Sequence, residues 1–349
     1  MNITFLIGNG FDIGLGLKTR YENFYDVYST PNEEDSEHLQ VFKSALRKYQ
    51  SEKDQKKGKI VDWADFEKTF GDYSKNFKDG EQYKYIELFE NFVEEFNAYL
   101  QQEENKVDYS NKKLIADTMK EGVTKYFYIR KEDTEIIQNR YNSLRGERIY
   151  NFVSFNYTKT IDSCADILKE SLKNDGNRKV GGVFHIHGYV EENMIMGIDN
   201  PSQISNPVFV NDLDIIREIV KPEQNKEAKT NYEKDVISTI NASHIICIYG
   251  MSIGETDRKW WTAISKWLVS DPNRLLVILG HDDKYDKRFT HSQRKVVTSL
   301  VDKFLDNTDL DDNQKEKIRD KVLVGMNYDV FSMKLRKNEE TPVKEPALV

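Results

Sequence analysis

MNITFLIGNGFDIGLGL, residues 1–17, sets the reading of the whole chain. Ile3 to Ile7 is a short apolar run rich in β-branched and aromatic side chains. It is too brief for a helix and reads as a buried strand. Gly8-Asn9-Gly10 follows at once, then Phe11-Asp12 and a segment with apolar residues at Phe11, Ile13, Leu15 and Leu17. Open α/β sheets make nucleotide-phosphate cradles this way: glycines let backbone N–H groups approach the phosphates, and the next helix offers its positive end. The spacing G-x-G-x-x-x-G of Gly8, Gly10 and Gly14 departs from the dinucleotide fingerprint. No second strand ending in an acid follows about 20 residues on. Taken alone, the stretch fits both a nucleotide site and a tight turn with no ligand.

The chain of 349 residues is long enough for one large domain or two modest ones. Its net charge of −8 gives no support to broad electrostatic binding of nucleic acid. Two cysteines, Cys164 and Cys247, are too few for a disulfide scaffold or a cysteine-rich zinc site, and they fit a reducing, cytoplasmic setting. No apolar run approaches the ~20 residues of a membrane span, and no basic stretch precedes an apolar signal core. No membrane partner is expected.

Working outward, Tyr21, Phe24, Tyr25 and Tyr28 recur at helical spacing and read as core. Val41, Phe42, Ala45, Leu46 and Tyr49 form a second stripe. Trp63, Phe66 and Phe70 share a helical face, and the acids Asp62, Asp65 and Glu67 beside them read as a solvated helix start rather than as catalytic carboxylates. Ile86, Phe89, Val93, Phe96 and Leu100 predict the clearest helix of the chain. Residues 31–148 thus read as a helical insertion between the first strand and the next. Strands are expected at Tyr150–Phe155, Val183–His187, His244–Tyr249, Leu275–Leu279 and Lys321–Gly325, with helices between them. Trp260, Trp261, Ile264, Trp267 and Leu268 give a helix with an aromatic core face.

This alternation predicts a Rossmann-like, mostly parallel sheet flanked by helices, built from residues 1–30 and 149–335, with a loose tail over 336–349. Ligands of such sheets sit at the carboxyl ends of the strands. FLIGNGFD, FVSFNYT, VFHIHG and ICIYGMSIGETD each stop an apolar strand at small or polar residues. Gly8, Asn9, Gly10, Asp12, Asn156, His187, Gly250, Ser252 and Asp257 could therefore line one crevice. His185 and His187, two apart on a strand, should share a face. With no third ligand at a suitable spacing, no metal site is predicted. His185 reads as a hydrogen-bonded core histidine, and Asp257 as either a site residue or a helix cap.

The sequence resembles the AbiH family of bacterial phage abortive-infection proteins. The matching signatures are IGNGFD at 7–12 with the following GLGLKTRYENF, WADFE at 63–67, SFNYT at 154–158, HIHG at 185–188 and GMSIGETD at 250–257. That family is in turn distantly similar to the sirtuin-like NAD-binding domains of bacterial defence proteins. This resemblance implies that Gly8 and Gly10 form the phosphate turn, Asn156 the asparagine of the T-N-Y-D type turn, and His187 the histidine before glycine. Gly250, Ser252 and Asp257 would form the late loop. Phe155 stands where a sirtuin has glutamine, Thr158 where it has an acid, and the four-cysteine zinc module is absent, so deacetylation is not implied.

What the resemblance implies is NAD binding and cleavage of the nicotinamide–ribose bond. A neutral histidine suits the base role near pH 7. An asparagine can orient water or a ribose hydroxyl without adding charge. Asp12, an acid just past a phosphate turn, would cap the turn or hold a ribose hydroxyl. The expected partners are NAD or a related nucleotide, a phage-derived or host protein as trigger, and a second copy or another defence protein. A non-catalytic nucleotide-sensing or protein-binding module is the rival reading. Nucleic-acid cleavage by the acids near 62–67 and 282–283 is a third.

Overall fold

The structure, a computed structural model, describes residues 1–55, 63–126, 129–144, 146–227, 232–282, 285–286, 288–328 and 330–337. Side chains are described at all of these except 49–55, 63–66, 68 and 256. Six strands of the described residues form one parallel sheet: β1 (Asn2–Ile7), β2 (Arg148–Ser154), β3 (Arg178–His185), β4 (Ile245–Tyr249), β5 (Leu275–Gly280) and β6 (Val322–Met326). Their order, β3-β2-β1-β4-β5-β6, is that of a doubly wound α/β sheet, and the winding reverses between β1 and β4.

Between β1 and β2 lie α1 (Gly10–Leu15), α2 (Tyr21–Tyr28), α3 (Glu37–Gln55), α4 (Trp63–Tyr73), α5 (Gln82–Glu104), α6 (Lys112–Lys125) and α7 (Lys131–Ser143). α8 (Thr160–Ser171) joins β2 to β3. α9 (Leu213–Ile219), α10 (Lys221–Glu227) and α11 (Tyr232–Ala242) lead to β4, and α12 (Arg258–Ser270) leads to β5. α13 (Thr290–Asp306) and α14 (Asp312–Arg319) precede β6. Among the described residues no helix is long and apolar enough to cross a membrane.

The two-residue period of a strand divides the sheet's side chains between two cores. Ile3, Phe5, Ile7, Ile245, Cys247, Tyr249, Leu275, Val277 and Leu279 point into one, which α6 and α8 cover. Leu6, Ile246, Ile248, Leu276 and Ile278 point into the other, which α11, α12, α13 and α14 cover. Central strands buried on both faces need near-continuous apolar sequence, which is why β1, β4 and β5 carry it. Trp260, Trp261 and Trp267 are buried in the second of these cores.

β3 lies at the sheet's edge and differs from expectation at both ends. It begins at Arg178 rather than Val183, and it carries Gly181-Gly182 inside, where the register with β2 shifts between Tyr150 and Asn151. A bulge at an edge is where glycine is tolerated in a strand. The strand stops at His185, so the period-two argument does not reach His187.

A third core belongs to no strand. Tyr21, Phe24, Tyr25, Tyr28, Phe42, Phe70 and Tyr85 pack there with Phe89, Phe92, Phe96, Ile198, Phe209, Ile215 and Ile219. It unites α2 to α5 with α9 and the segment after β3. The stripes of α2 and α5 are core, as their spacing predicts, and the core they build is this one; in the second stripe Phe42 and Leu46 join it but Val41 is exposed, and the side chains of Tyr49, Trp63 and Phe66 lie outside the described residues. Tyr157, just beyond β2, packs edge-on to Phe96 at 5.7 Å and ties this helical layer to the carboxyl edge of the sheet.

After β6 the chain crosses back over the sheet. Phe331 is fully buried against Phe5, Phe11 and Tyr249, lying over Gly122 of α6 where any Cβ would collide with its ring. Leu335 N–H donates to Leu15 O at 2.9 Å, and Arg336 pairs with Glu103 at 3.1 Å. Of the tail expected from residue 336, Arg336 and Lys337 are bonded in this way or to Lys106 O; residues 338–349 lie outside the described residues.

Candidate functional site at the carboxyl edge of the sheet

The β1 and β4 turns meet at the point where the winding reverses. Gly8 N–H donates to Tyr249 O at 2.9 Å, and Gly10 N–H donates to Gly250 O at 2.8 Å. Gly250 has a φ of 68°, and a Cβ on Gly10 would stand 2.5 Å from its Cα. The glycines let two backbones touch. Their N–H groups are engaged by carbonyls of the neighbouring strand and turn, so they are not presented to a phosphate. α1 adds little to an anion site, being six residues long. Asn9 is turned the same way: its amide donates to Thr19 O at 2.8 Å and its Oδ1 accepts from Thr19 Oγ1 at 2.5 Å.

Asn156 joins the β2 end to this turn, its Nδ2 donating to Gly8 O at 3.2 Å. Asp12 is 1% exposed. Thr158 Oγ1 donates to one of its carboxylate oxygens at 2.7 Å, and Thr160 Oγ1 to the other at 2.5 Å. Burial pushes the Asp12 carboxyl up from 3.8 to about 6, against the pull of Thr160, Thr158, Asn156 and the charge of His185. Thus Asp12 pins the FNYT turn to α1. The hydroxyl at position 158 is thus bonded to an acid of α1.

The two histidines address different carboxylates. His185 is buried, with Nε2 at 2.7 Å from Asp162 Oδ2 and Nδ1 at 3.3 Å from Asn156 O. His187 stands past the strand's end, with Nε2 at 3.3 Å from Asp257 Oδ1; the two side chains are 12% and 18% exposed. Phe155 and Tyr157 border its ring, each with centroids 6.0 Å away. Burial acts to raise the Asp257 carboxyl, but the nearby His187 ring and the charge of Lys221 outweigh it and hold the group below its usual value, although Asp257 Oδ1 makes no well-aligned hydrogen bond among the described residues. Ser252 is exposed on the same loop, and Trp261 Nε1–H donates to Gly254 O at 2.7 Å, holding that loop to α12.

Two further charges, far apart in the sequence, act on this pair. Glu67 of α4 and Lys221 of α10 are 5% and 7% exposed and form an ion pair at 2.8 Å. Asp199 lies 3.8 Å from the same ammonium, and Gly197 N–H reaches Glu67 Oε1 at 3.4 Å. Burial pushes the Glu67 carboxyl up, and Lys221 pulls it back. The ammonium, which burial alone would lower, is held above its ordinary value by Glu67, then Tyr157, Asp257 and Asp199. The charge of His187 acts on Glu67, and the charge of Lys221 on Asp257.

A signal for this was in the sequence. Glu67 lies four residues after Trp63 and three before Phe70, inside the apolar stripe rather than beside it. Lys221 opens a helix, where a cation opposes the dipole. Asp62 and Asp283 lie outside the described residues, as does the side chain of Asp65.

The arrangement can do base chemistry in a confined, charged seam between the sheet and the helical layer. Asp257 meets His187 at Nε2, which makes Nδ1 the ring nitrogen that can serve a ligand. A cleft of about 540 Å³ lined by Ile86, Met194, Ile195, Arg217 and Gln224 borders the segment that follows, where Ile195 N–H donates to His187 O at 2.7 Å. A family model described as bacteriophage abortive infection AbiH matches residues 4–279, a span that contains every residue of this site. No curated protein matches the chain.

Proposed function

The chain belongs to the AbiH family of bacteriophage abortive-infection proteins, and from that premise we propose that it is an antiphage effector that binds NAD and hydrolyses its nicotinamide–ribose bond. The observation that carries this reading is His187 facing Asp257 at 3.3 Å past the end of β3, at the edge where parallel sheets bind their ligands. The reading takes the family as a distant relative of sirtuin-like NAD-binding domains. It places the protein in the cytoplasm, where a phage or host protein triggers it.

In the reaction the bond between ribose C1′ and the pyridine nitrogen breaks. Nicotinamide leaves as a neutral molecule with the bonding electron pair. A water oxygen bonds to C1′ and gives its proton to His187 Nδ1, leaving ADP-ribose. Asp257 keeps the proton on Nε2 and stabilises the imidazolium that forms. Asn156, with its amide directed at Gly8 O, orients the ribose through Oδ1. Asp12 and Asn9 act from behind, as supports of the two turns. Gly8, Gly10 and Gly250 serve by letting the turns meet, and Ser252 offers a hydroxyl at the rim.

A second reading, a nucleotide-sensing or protein-binding module without turnover, draws on the engaged N–H groups of Gly8 and Gly10. Nicotinamide and ADP-ribose measured in phage-infected cells, and with purified protein and NAD, separate the two. His187→Ala and Asn156→Ala should abolish product and protection while the circular dichroism spectrum is kept. Protection undiminished in both variants would sink the hydrolase reading, and NAD binding without product would favour the sensor.

A further inference from the structure

The ion pair of Glu67 and Lys221 has no part in the chemistry above, yet it is buried close to it: Gly197 N–H, which reaches Glu67, is two residues beyond Ile195, whose N–H donates to His187 O. Holding two charges out of water is unfavourable unless their partners are well placed, and a buried pair is weak support for stability alone. Apolar side chains would serve the helical layer at least as well. The pair's position explains its presence better. Asp257 from the loop after β4 and Tyr157 from the turn after β2 face His187, and Glu67 from α4, Lys221 from α10 and Asp199 from the segment after β3 form the charged cluster near them. Three are carboxylates, and Lys221 is the ammonium placed among them.

We propose that Glu67 is a positioning residue that acts through Lys221: it fixes the ammonium as the counter-charge to Asp257, and so sets how strongly Asp257 favours the imidazolium form of His187. The inference rests on the reading of His187 as the base. Glu67 supplies the short contact at 2.8 Å that locates the ammonium, while Asp199 at 3.8 Å is the looser partner. With both present the pair is neutral as a unit. Removing the carboxylate alone leaves a net positive charge in the seam, which disfavours protonation of His187. Removing both charges restores neutrality. A role in packing alone would not produce that sign or its reversal.

The test is a titration of His187 by NMR with histidine labelled at Cε1, its signal assigned by its loss in His187→Gln. The full-length wild type, Glu67→Gln and Glu67→Gln/Lys221→Met are compared, with the pH profile of nicotinamide release recorded beside it. Glu67→Gln should move the titration midpoint and the acid limb of activity to lower pH, by on the order of half to one pH unit. The double variant should return most of the way. A midpoint unmoved in Glu67→Gln, or moved equally in both variants, overturns the proposal. Because the titration needs no substrate, absence of nicotinamide release in the wild type would remove the hydrolase reading while the midpoints still decide the role of Glu67.

Discussion

Replacing Asp12 by asparagine should change how stability depends on pH, and the size of the change follows from the burial of one carboxyl. In the unfolded chain the group titrates near 3.8; in the native protein it titrates near about 6, because a carboxylate with 1% exposure has lost its water. Between those values the native state keeps a proton that the unfolded state releases. The contribution of Asp12 to wild-type stability therefore falls as pH rises through this window and levels off above about 6. At about 1.4 kcal/mol per pH unit, the whole step is roughly 3 kcal/mol, of which about 2 kcal/mol falls between pH 4.5 and 7.5.

Asparagine cannot ionise, so the variant lacks the step. It also replaces one acceptor of the Thr158 and Thr160 hydroxyls by a donor, a loss that does not vary with pH. The difference between the two proteins isolates the titration, since every other group is common to both. Urea unfolding followed by tryptophan fluorescence at pH 4.5 and 7.5 measures it. The variant should gain about 2 kcal/mol on the wild type across that interval. A difference that stays constant with pH would refute the assignment of Asp12 as a buried carboxyl that is protonated in mild acid.

Two further substitutions probe the contacts that position the site. Gly10→Ala sets a methyl 2.5 Å from Gly250 Cα, backbone against backbone, with no rotamer to relieve it; it should lower stability by about 1–3 kcal/mol or more in urea unfolding, and NAD affinity in calorimetry should fall with it. Gly122→Ala drives a methyl into the Phe331 ring, which is packed by Phe5, Phe11 and Tyr249 and cannot step aside; a loss of about 1–3 kcal/mol is expected, and Phe331→Leu added to it should recover part.

The sheet was legible where strands are buried on both faces. β4 and β5 are almost wholly apolar, and the Ile3–Ile7 run of β1 is interrupted only by Thr4, whose hydroxyl is bonded to Ser243; short apolar runs closed by glycine turns read as central strands. β3 was misread at both ends because an edge strand exposes alternate residues and because Gly181-Gly182, read as a break, lies at a bulge. The convergence of the strand ends was legible from topology, since parallel strands bring their carboxyl ends together whatever their separation in sequence. Hydrogen bonding within the turns was not. That Gly10 N–H faces Gly250 O depends on two loops 240 residues apart. Glu67 was discounted because an acid near a helix start usually complements the dipole, and its partner Lys221 lies 154 residues away.

The strand order carries a consequence in time. β1 pairs with β2 on one side and β4 on the other, and β4 begins at Ile245. Synthesis at roughly 5–20 residues per second puts on the order of ten to fifty seconds between the two strands leaving the ribosome. For that interval one edge of β1 has no neighbour, and a nascent chain must keep it from other strands. Asp257 emerges later than β4 itself. No shorter nascent chain, however much of its sheet has formed, can hold His187 against its carboxylate, so the complete pair exists only when the β4 loop is in place.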